Sequence, residues 1–265
     1  MTDAAEVVLV DVADGVATIT LNRPAARNAL SREVLRTLPR VVRACDQRDD
    51  VAAIVLTGAD PAFCAGLDLK ELGAGELNDE VAPSGPEDDH RRGPLPITSV
   101  PVIGAVNGVA VTGGLELTLA CDLLIASERA RFADTHARVG IMPGWGLTVL
   151  LPQAVGLRRA RQMSVTGNYV DAHTALAWGL VNEVVAHDEL LTRCRELGRD
   201  VASNDPFAVA RLLQTYREGS ELAAGAAWRL EGEVARSWRP GGAVDPADVE
   251  RRRRQVMARG RSQLG

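Results

Sequence analysis

Short apolar segments alternate with segments of helical period along most of the chain, and this alternation constrains the fold more than any other feature. Residues 7–10 and 16–21 are β-branched runs on either side of Ala13-Asp14-Gly15, a sequence typical of a hairpin turn. Ser31 predicts the N-cap of a helix that continues to about Cys45, because apolar side chains recur along one stripe of this segment. Strands joined by helices, with no repeat of fixed period, predict the α/β class.

The same alternation continues beyond the first helix. Residues 51–57, 101–106 and 123–126 are apolar runs that predict buried strands, and residues 113–121 and 147–154 predict helices. From Leu157 onward the pattern is mostly helical, with one short extended piece at residues 180–185. Residues 72–96 differ in kind, since Gly, Pro and acidic residues dominate and no period is visible. They predict a mobile surface insertion.

Composition and charge argue against two classes of partner. The chain has 265 residues, 46% of them hydrophobic and 25% charged, which is typical of a soluble globular protein. A formal net charge of -5 argues against nucleic-acid binding, which needs a clustered basic surface. The basic run at residues 251–254 is interpreted as a solvated helix face or an inter-subunit contact. No stretch approaches the roughly 18 apolar residues that a membrane span needs.

The four cysteines are widely spaced and form no CxxC or Cys/His ligand pattern, which argues against a zinc site and against a disulfide framework. Met1-Thr2-Asp3 carries an acid and no basic region followed by an apolar core, so we expect no signal peptide. These features predict a cytoplasmic protein.

Residues 62–70 form the first of three candidate functional segments. Small residues and Gly66 let the backbone approach a ligand closely, and the N–H of Leu67 is placed to donate to a carbonyl oxygen. The alternative is a plain loop between a strand and a helix.

Residues 107–116 form the second segment. Gly113-Gly114 opens a helix, where unpaired N–H groups and the helix dipole favour negative charge such as a developing enolate oxygen. Glu116 lies in the first turn, where its carboxylate can face the same pocket. The alternative is that Glu116 only improves the helix dipole.

Residues 131–146 form the third segment, which contains His136 and the turn Pro143-Gly144-Trp145-Gly146. A histidine in isolation is more often structural than catalytic, and the turn can simply end one element and begin a helix.

Taken together and in this order, the segments resemble the enoyl-CoA hydratase/isomerase (crotonase) family. Residues 21–24 (LNRP) with 28–30 (NAL) are similar to its N-terminal signature. AFCAGLDLKEL at 62–72, VNGVAVTGGLELTLACD at 106–122 and RFADTHARVGIMPGWG at 131–146 follow at the expected spacings. The likeness spans about residues 6–200 and is weaker in the last helices.

The resemblance implies a crotonase-like (ClpP/crotonase) spiral of repeated β-β-α units with a helical C-terminal region. Residues 1–200 would form the core, and residues 201–265 would form a helical trimerisation region. The assembly would be a homotrimer or a hexamer built as a dimer of trimers. No nucleic acid or membrane partner is implied.

The resemblance also implies a site. The backbone N–H groups of Leu67 and Gly113 would form an oxyanion hole. Coenzyme A, as part of the substrate, would lie along one loop, with secondary contacts near Arg27 and Ala29. The loop residues are Ala65, Leu67, Asp68, Leu69 and Lys70. No metal ion and no redox cofactor is implied.

The sequence departs from the family at one catalytic position. Hydratases of this family hold a water with two glutamates; Glu116 matches the first, and His136 falls at the second. Neutral imidazole accepts a hydrogen bond from water, and imidazolium donates a proton. Trp145 also replaces a small residue that is usual in this turn, and it either narrows the acyl pocket or belongs to the core.

The working hypothesis is a 2-enoyl-CoA hydratase with Glu116 and His136 as its acid/base groups. One alternative is another reaction on the same enolate: isomerisation, thioester hydrolysis or decarboxylation. Isomerases of the family typically rely on a carboxylate at the His136 position, which disfavours that option. A second alternative is a non-catalytic acyl-CoA binder, but binding alone does not require Glu116.

Overall fold

The computed structural model describes residues 6–77 and 93–217, together with single positions farther along the chain (225, 247, 250, 251, 253, 254, 257, 258 and 261). Residues 78–92, which make up most of the predicted insertion, lie outside the described residues, and so does most of the predicted trimerisation region.

Four consecutive β-β-α units build the first half of the chain. They are β1 (Val8–Ala13), β2 (Val16–Leu21) and α1 (Arg32–Asp46); β3 (Ala53–Gly58), β4 (Ala62–Cys64) and α2 (Leu69–Gly73); β5 (Val102–Val106), β6 (Val109–Val111) and α3 (Gly113–Leu119); and β7 (Leu123–Ser127), β8 (Arg131–Ala133) and α4 (His136–Val139). The α/β class and the repeated β-β-α unit are therefore confirmed.

The chain then becomes mainly helical, as its periodicity predicts. The elements are α5 (Leu147–Val155), α6 (Leu157–Thr166), β9 (Val170–Asp171), α7 (Ala172–Trp178), β10 (Glu183–Val185) and α8 (Leu190–Ala202), followed by helical residues 206–217. No helix in the described part of the chain is long and apolar enough to cross a membrane.

Local sequence signals explain where the first elements begin and end. β1 and β2 pair antiparallel across the turn at Asp14, whose φ of 51° is left-handed, so the predicted hairpin is confirmed. Ser31 caps α1, and its side chain accepts a hydrogen bond from the Val34 nitrogen. The apolar stripe of α1 is buried, so the predicted helix is also confirmed.

Two sheets receive alternate strands of the units. The larger sheet has the order β1-β2-β3-β5-β7-β10, and the smaller has the order β4-β6-β8-β9. From the second unit onward, the first strand of each unit joins the larger sheet and the second joins the smaller. β4, β6 and β8 are parallel neighbours, so the segments that follow them emerge at one edge of the smaller sheet. Those segments begin at Ala65, Thr112 and Asp134.

The inner strands of the larger sheet, β2, β3, β5 and β7, are buried on both faces, which explains their continuous apolar sequences. Successive side chains of a strand point to opposite faces. On β3, Val55 packs in a cluster with Leu190 and Cys194 of α8, whereas Ile54 and Leu56 point into the main core.

Candidate active site

The N–H groups of Leu67 and Gly113 lie close together at the edge of the smaller sheet. Leu30 donates from its nitrogen to the Gly66 oxygen at 2.8 Å and accepts from the Asp68 nitrogen at 3.1 Å, so the N–H of Leu67 points away from Leu30. A Cβ built on Gly113 would lie 3.6 Å from the Leu67 nitrogen. Among the described residues, neither N–H donates to a protein acceptor. The structure thus brings the two predicted donors to one place.

Glycine is required where the two loops touch. Gly66 has a φ of +91°, and a Cβ there would lie 2.8 Å from the Val111 oxygen. A Cβ on Gly114 would lie 2.1 Å from the Cys64 oxygen. The start of α3 therefore packs backbone against backbone on the end of β4, and this contact sets the spacing of the two N–H groups.

Glu116 projects from the first turn of α3 and is buried, with 2% of its surface exposed. Its Oε1 accepts a hydrogen bond from the Trp145 nitrogen at 2.9 Å. Its Oε2 lies 3.6 Å from Nε2 of His136, an ion-pair distance too long for a direct hydrogen bond. The helix N-terminus favours the negative charge of this carboxylate. One carboxylate oxygen is held by the backbone, and the other faces His136.

His136 is the first residue of α4 and is also buried, at 5% exposed. Oδ1 of Asp134 accepts from His136 Nδ1 at 2.7 Å and from the His136 backbone nitrogen at 3.1 Å. Burial alone would raise the Asp134 pKa, but hydrogen bonds from His136 and Ser164 and the nearby His136 ring more than offset this and hold the pKa below its ordinary value. The predicted pair of Glu116 and His136 is therefore brought together, with Asp134 behind the histidine.

Two threonines join the loop that carries His136 to the loop that carries Gly113. The hydroxyls of Thr112 and Thr135 hydrogen-bond to each other, and the Thr112 nitrogen donates to the Ala133 oxygen at 2.9 Å. Thr112 has a φ of 55°, which is uncommon for a branched residue. These contacts hold Thr112 in a strained conformation directly before Gly113.

Trp145 is buried in the main core cluster and also borders the site. Its ring carbon Cζ3 lies 3.3 Å from where a Cβ on Gly113 would be. The core interpretation is confirmed, and the same ring occupies space beside the two N–H groups.

The residues predicted to contact coenzyme A lie along two adjacent segments. The Ala65 nitrogen donates to the Arg27 oxygen at 3.0 Å, so residues 27–30 run beside residues 65–68. Asp68 caps α2 by accepting from the Lys70 nitrogen at 3.1 Å. The Lys70 side chain is exposed.

Two residues of this region were not predicted from the sequence. Arg23 pairs with Asp68 at 3.0 Å and donates to the Ala29 oxygen at 2.6 Å, which ties the two segments together. Asp134 supports His136. Its sequence signal is the Asp-x-His spacing, which lets an aspartate accept from the backbone N–H two residues on.

Comparisons with known proteins agree with this architecture. Residues 11–238 match the enoyl-CoA hydratase/isomerase family. The short-chain-enoyl-CoA hydratase of Clostridium acetobutylicum is 36% identical over 229 residues, which cover 83% of this chain and 84% of that protein. Because the match covers most of the sequence, the chain belongs to the enoyl-CoA hydratase/isomerase (crotonase) family.

Solved structures show the same fold. The crystal structure of an enoyl-CoA hydratase from Mycobacterium smegmatis is 52% identical, with a TM-score of 0.79 over 88% of this chain and 97% of that one. The enoyl-CoA hydratase from Mycobacterium tuberculosis H37Rv is 47% identical, with a TM-score of 0.80 over 89% and 99%. The predicted crotonase-like fold is confirmed.

Proposed function

We propose that the protein is an enoyl-CoA hydratase that adds water across the 2,3-double bond of a trans-2-enoyl-CoA thioester. One observation carries this proposal: Glu116 and His136 face each other 3.6 Å apart in a buried site beside the N–H groups of Leu67 and Gly113. Hydration needs an acid/base pair for the water and a stabiliser for the enolate, and these four groups supply both.

Leu67 and Gly113 would act as the oxyanion hole. Attack on C3 moves negative charge onto the thioester oxygen, where two preorganised N–H donors stabilise it. Each such donor is worth roughly 3 to 4 kcal/mol of barrier in well-studied cases. Coenzyme A would lie along Ala65, Leu67, Asp68, Leu69 and Lys70, with secondary contacts at Arg27 and Ala29. The reaction uses no metal ion and no redox cofactor.

Glu116 and His136 would hold the attacking water between them. Two polar atoms 3.6 Å apart can both lie about 2.8 Å from one water oxygen, which is ordinary hydrogen-bond distance. Glu116 takes a proton from this water as its oxygen attacks C3. The proton for C2 comes from the histidine side of the pair, since His136 replaces the second glutamate.

The first test is loss of the 2-enoyl absorbance when the protein meets crotonyl-CoA and longer trans-2-enoyl-CoA thioesters. We expect turnover on at least one chain length. His136→Ala should lower kcat about 10²-fold or more, because one of two acid/base groups is lost. Tight acyl-CoA binding without turnover on any chain length would contradict the hydratase and favour another enolate reaction or a binder.

We also propose that the protein is cytoplasmic and assembles as a homotrimer or a hexamer through its C-terminal region. Residues 206–217 are helical and expose large apolar side chains: Phe207 is 85% exposed and Tyr216 is 76% exposed. Exposed apolar surface of this kind favours burial against a partner. The basic residue Arg253 pairs with Glu250 at 2.7 Å, which supports a solvated face there.

The double variant Phe207→Ser/Tyr216→Ser should dissociate the assembly, because each change removes apolar area from the interface. Analytical ultracentrifugation should give three or six times the chain mass for the wild type and a smaller species for the variant. Val10→Thr, an exposed apolar position on β1, is the control that should leave the mass unchanged. A monomeric wild type would exclude the proposed assembly.

A further inference from the structure

Asp134 makes two contacts with His136 through a single oxygen. Its Oδ1 accepts from the ring Nδ1 at 2.7 Å and from the backbone nitrogen at 3.1 Å. Both residues are buried, and Asp134 also hydrogen-bonds Ser164 of α6. The carboxylate is thus fixed against one edge of the imidazole ring, while Glu116 faces the opposite edge.

This arrangement decides where the ring protons lie. An ionised carboxylate only accepts hydrogen bonds, so the Nδ1 atom that meets Asp134 carries a hydrogen. The opposite nitrogen, Nε2, then faces Oε2 of Glu116 at 3.6 Å. A protonated Nε2 donates to the water held between the two side chains, and that water donates to Oε2 of an ionised Glu116. In this state the pair formed by Nε2 and Oε2 carries one proton, on Nε2.

We propose that Asp134 is a positioning residue that keeps Nε2 of His136 directed at Glu116, and that Nε2 and Oε2 exchange a single proton so that each turnover resets the site. The inference rests on the proposed hydration and adds to it the residue that orients and charges His136 and the route by which that acid is recharged.

The proton balance of one turnover is complete without an outside donor. At the start, Nε2 of His136 holds the proton and Glu116 is ionised. A water O–H bond breaks, its proton goes to Glu116, and the oxygen bonds to C3 while the double-bond electron pair moves into the enolate. The enolate collapses as C2 takes the proton of Nε2. Glu116 then returns its proton to Nε2, and the net change is addition of one water.

Asp134 contributes to this cycle by its negative charge and by orienting the His136 ring. Its negative charge favours the protonated ring, and its hydrogen bond prevents the ring from turning Nε2 away from Glu116. An asparagine at this position keeps the shape, and its oxygen can still accept from Nδ1 and from the backbone N–H, but it loses the charge. The ring is then neutral with its hydrogen on Nδ1, so Nε2 has no proton to give to C2.

The kinetic test compares Asp134→Asn, His136→Gln and the double variant. Asp134→Asn should lower kcat about 10- to 100-fold with little change in KM, a smaller loss than removal of the acid itself. The double variant should be no slower than His136→Gln alone, because Asp134 acts only through the histidine. A wild-type kcat for Asp134→Asn would overturn the proposal, and so would losses that add in the double variant.

A spectroscopic test needs no turnover. Of four histidines, His136 is identified in ¹⁵N-labelled protein by its absence from His136→Gln. At neutral pH with a saturated acyl-CoA bound, both ring nitrogens of the wild type should carry a hydrogen, and the Nε2 signal should change to that of an unprotonated nitrogen in Asp134→Asn. A neutral ring in the wild type would overturn the proposal. An enzyme that shows the expected signal but hydrates no enoyl-CoA would contradict the proposed function and leave Asp134's positioning role standing.

Discussion

Replacing Glu116 by glutamine is expected to lower kcat for hydration about 10²- to 10⁴-fold while acyl-CoA affinity stays near that of the wild type. The two side chains have the same shape. The Trp145 nitrogen lies 2.9 Å from Oε1 of Glu116, and the glutamine oxygen can accept the same hydrogen bond. The amide NH₂ group would then face His136 in place of Oε2. This group cannot take a proton from water, so the attacking step loses its base.

Affinity should survive because the proposed ligand contacts of the thioester come from the backbone. The N–H groups of Leu67 and Gly113 are fixed by the contact between their loops, not by the Glu116 carboxylate. If Glu116 acts as a base and not as a binding group, kcat falls while the Kd of a saturated acyl-CoA stays unchanged.

The measurement is steady-state hydration together with calorimetric binding of butyryl-CoA. Glu189→Gln, a change of the same type at an exposed position before α8, should keep the wild-type rate. The melting temperature of Glu116→Gln should stay close to that of the wild type, which shows that the lost rate does not come from unfolding. Near-normal turnover in this variant would remove Glu116 from the mechanism.

The sequence predicts the elements that carry strong local signals. The cap at Ser31, the hairpin at Asp14 and the apolar runs of β3, β5 and β7 are each long enough, or chemically distinct enough, to be recognised without tertiary information. The four-unit spiral itself follows from the family resemblance and not from periodicity.

The strands of the smaller sheet are harder to predict. β4, β6 and β8 contain three residues each, so no alternation of buried and exposed positions can develop. The sequence indicates a loop at residues 62–64, yet these residues form β4 and pair with β6. Long-range pairing stabilises these strands, and a local pattern does not record it.

Only part of the candidate site can be predicted, because its long-range contacts also leave no local pattern in the sequence. Local sequence indicates Leu67 and Glu116, and the family resemblance implies the roles of Gly113 and His136; the structure brings the four residues together at one sheet edge. The sequence does not predict Asp134, because its role depends on the direction of its carboxylate relative to the His136 ring. It does not predict Arg23, because the partner of Arg23, Asp68, is 45 residues away. Contacts of this kind exist only after the spiral has formed.

Gly114→Ala is expected to damage both stability and turnover, since the new methyl group has no space. A Cβ at this position would lie 2.1 Å from the Cys64 oxygen and 2.9 Å from the Cys64 carbonyl carbon. These atoms belong to the backbone of β4, which is hydrogen-bonded within the sheet and cannot rotate aside as a flexible side chain would. Overpacking of this type typically costs about 1–3 kcal/mol.

The kcat of the folded variant should also fall, in addition to any loss of folded protein. To relieve the contact, the start of α3 must move away from the segment after β4, and Gly113 moves with it. The spacing between the Gly113 and Leu67 N–H groups then increases, and Glu116 shifts relative to His136. A displacement of about 1 Å at a reacting centre can cost on the order of 10²-fold in rate. We therefore expect a lower kcat even well below the melting temperature.

The control is the same substitution at Gly225, a helical position where a Cβ meets no described atom within 4 Å. Alanine is the better helix former by about 1 kcal/mol, so Gly225→Ala should melt at the wild-type temperature or slightly above it. Differential scanning calorimetry and hydration assays on both variants separate the two effects. A Gly114→Ala protein with wild-type melting temperature and wild-type kcat would show that the backbone contact between α3 and β4 does not set the geometry of the site.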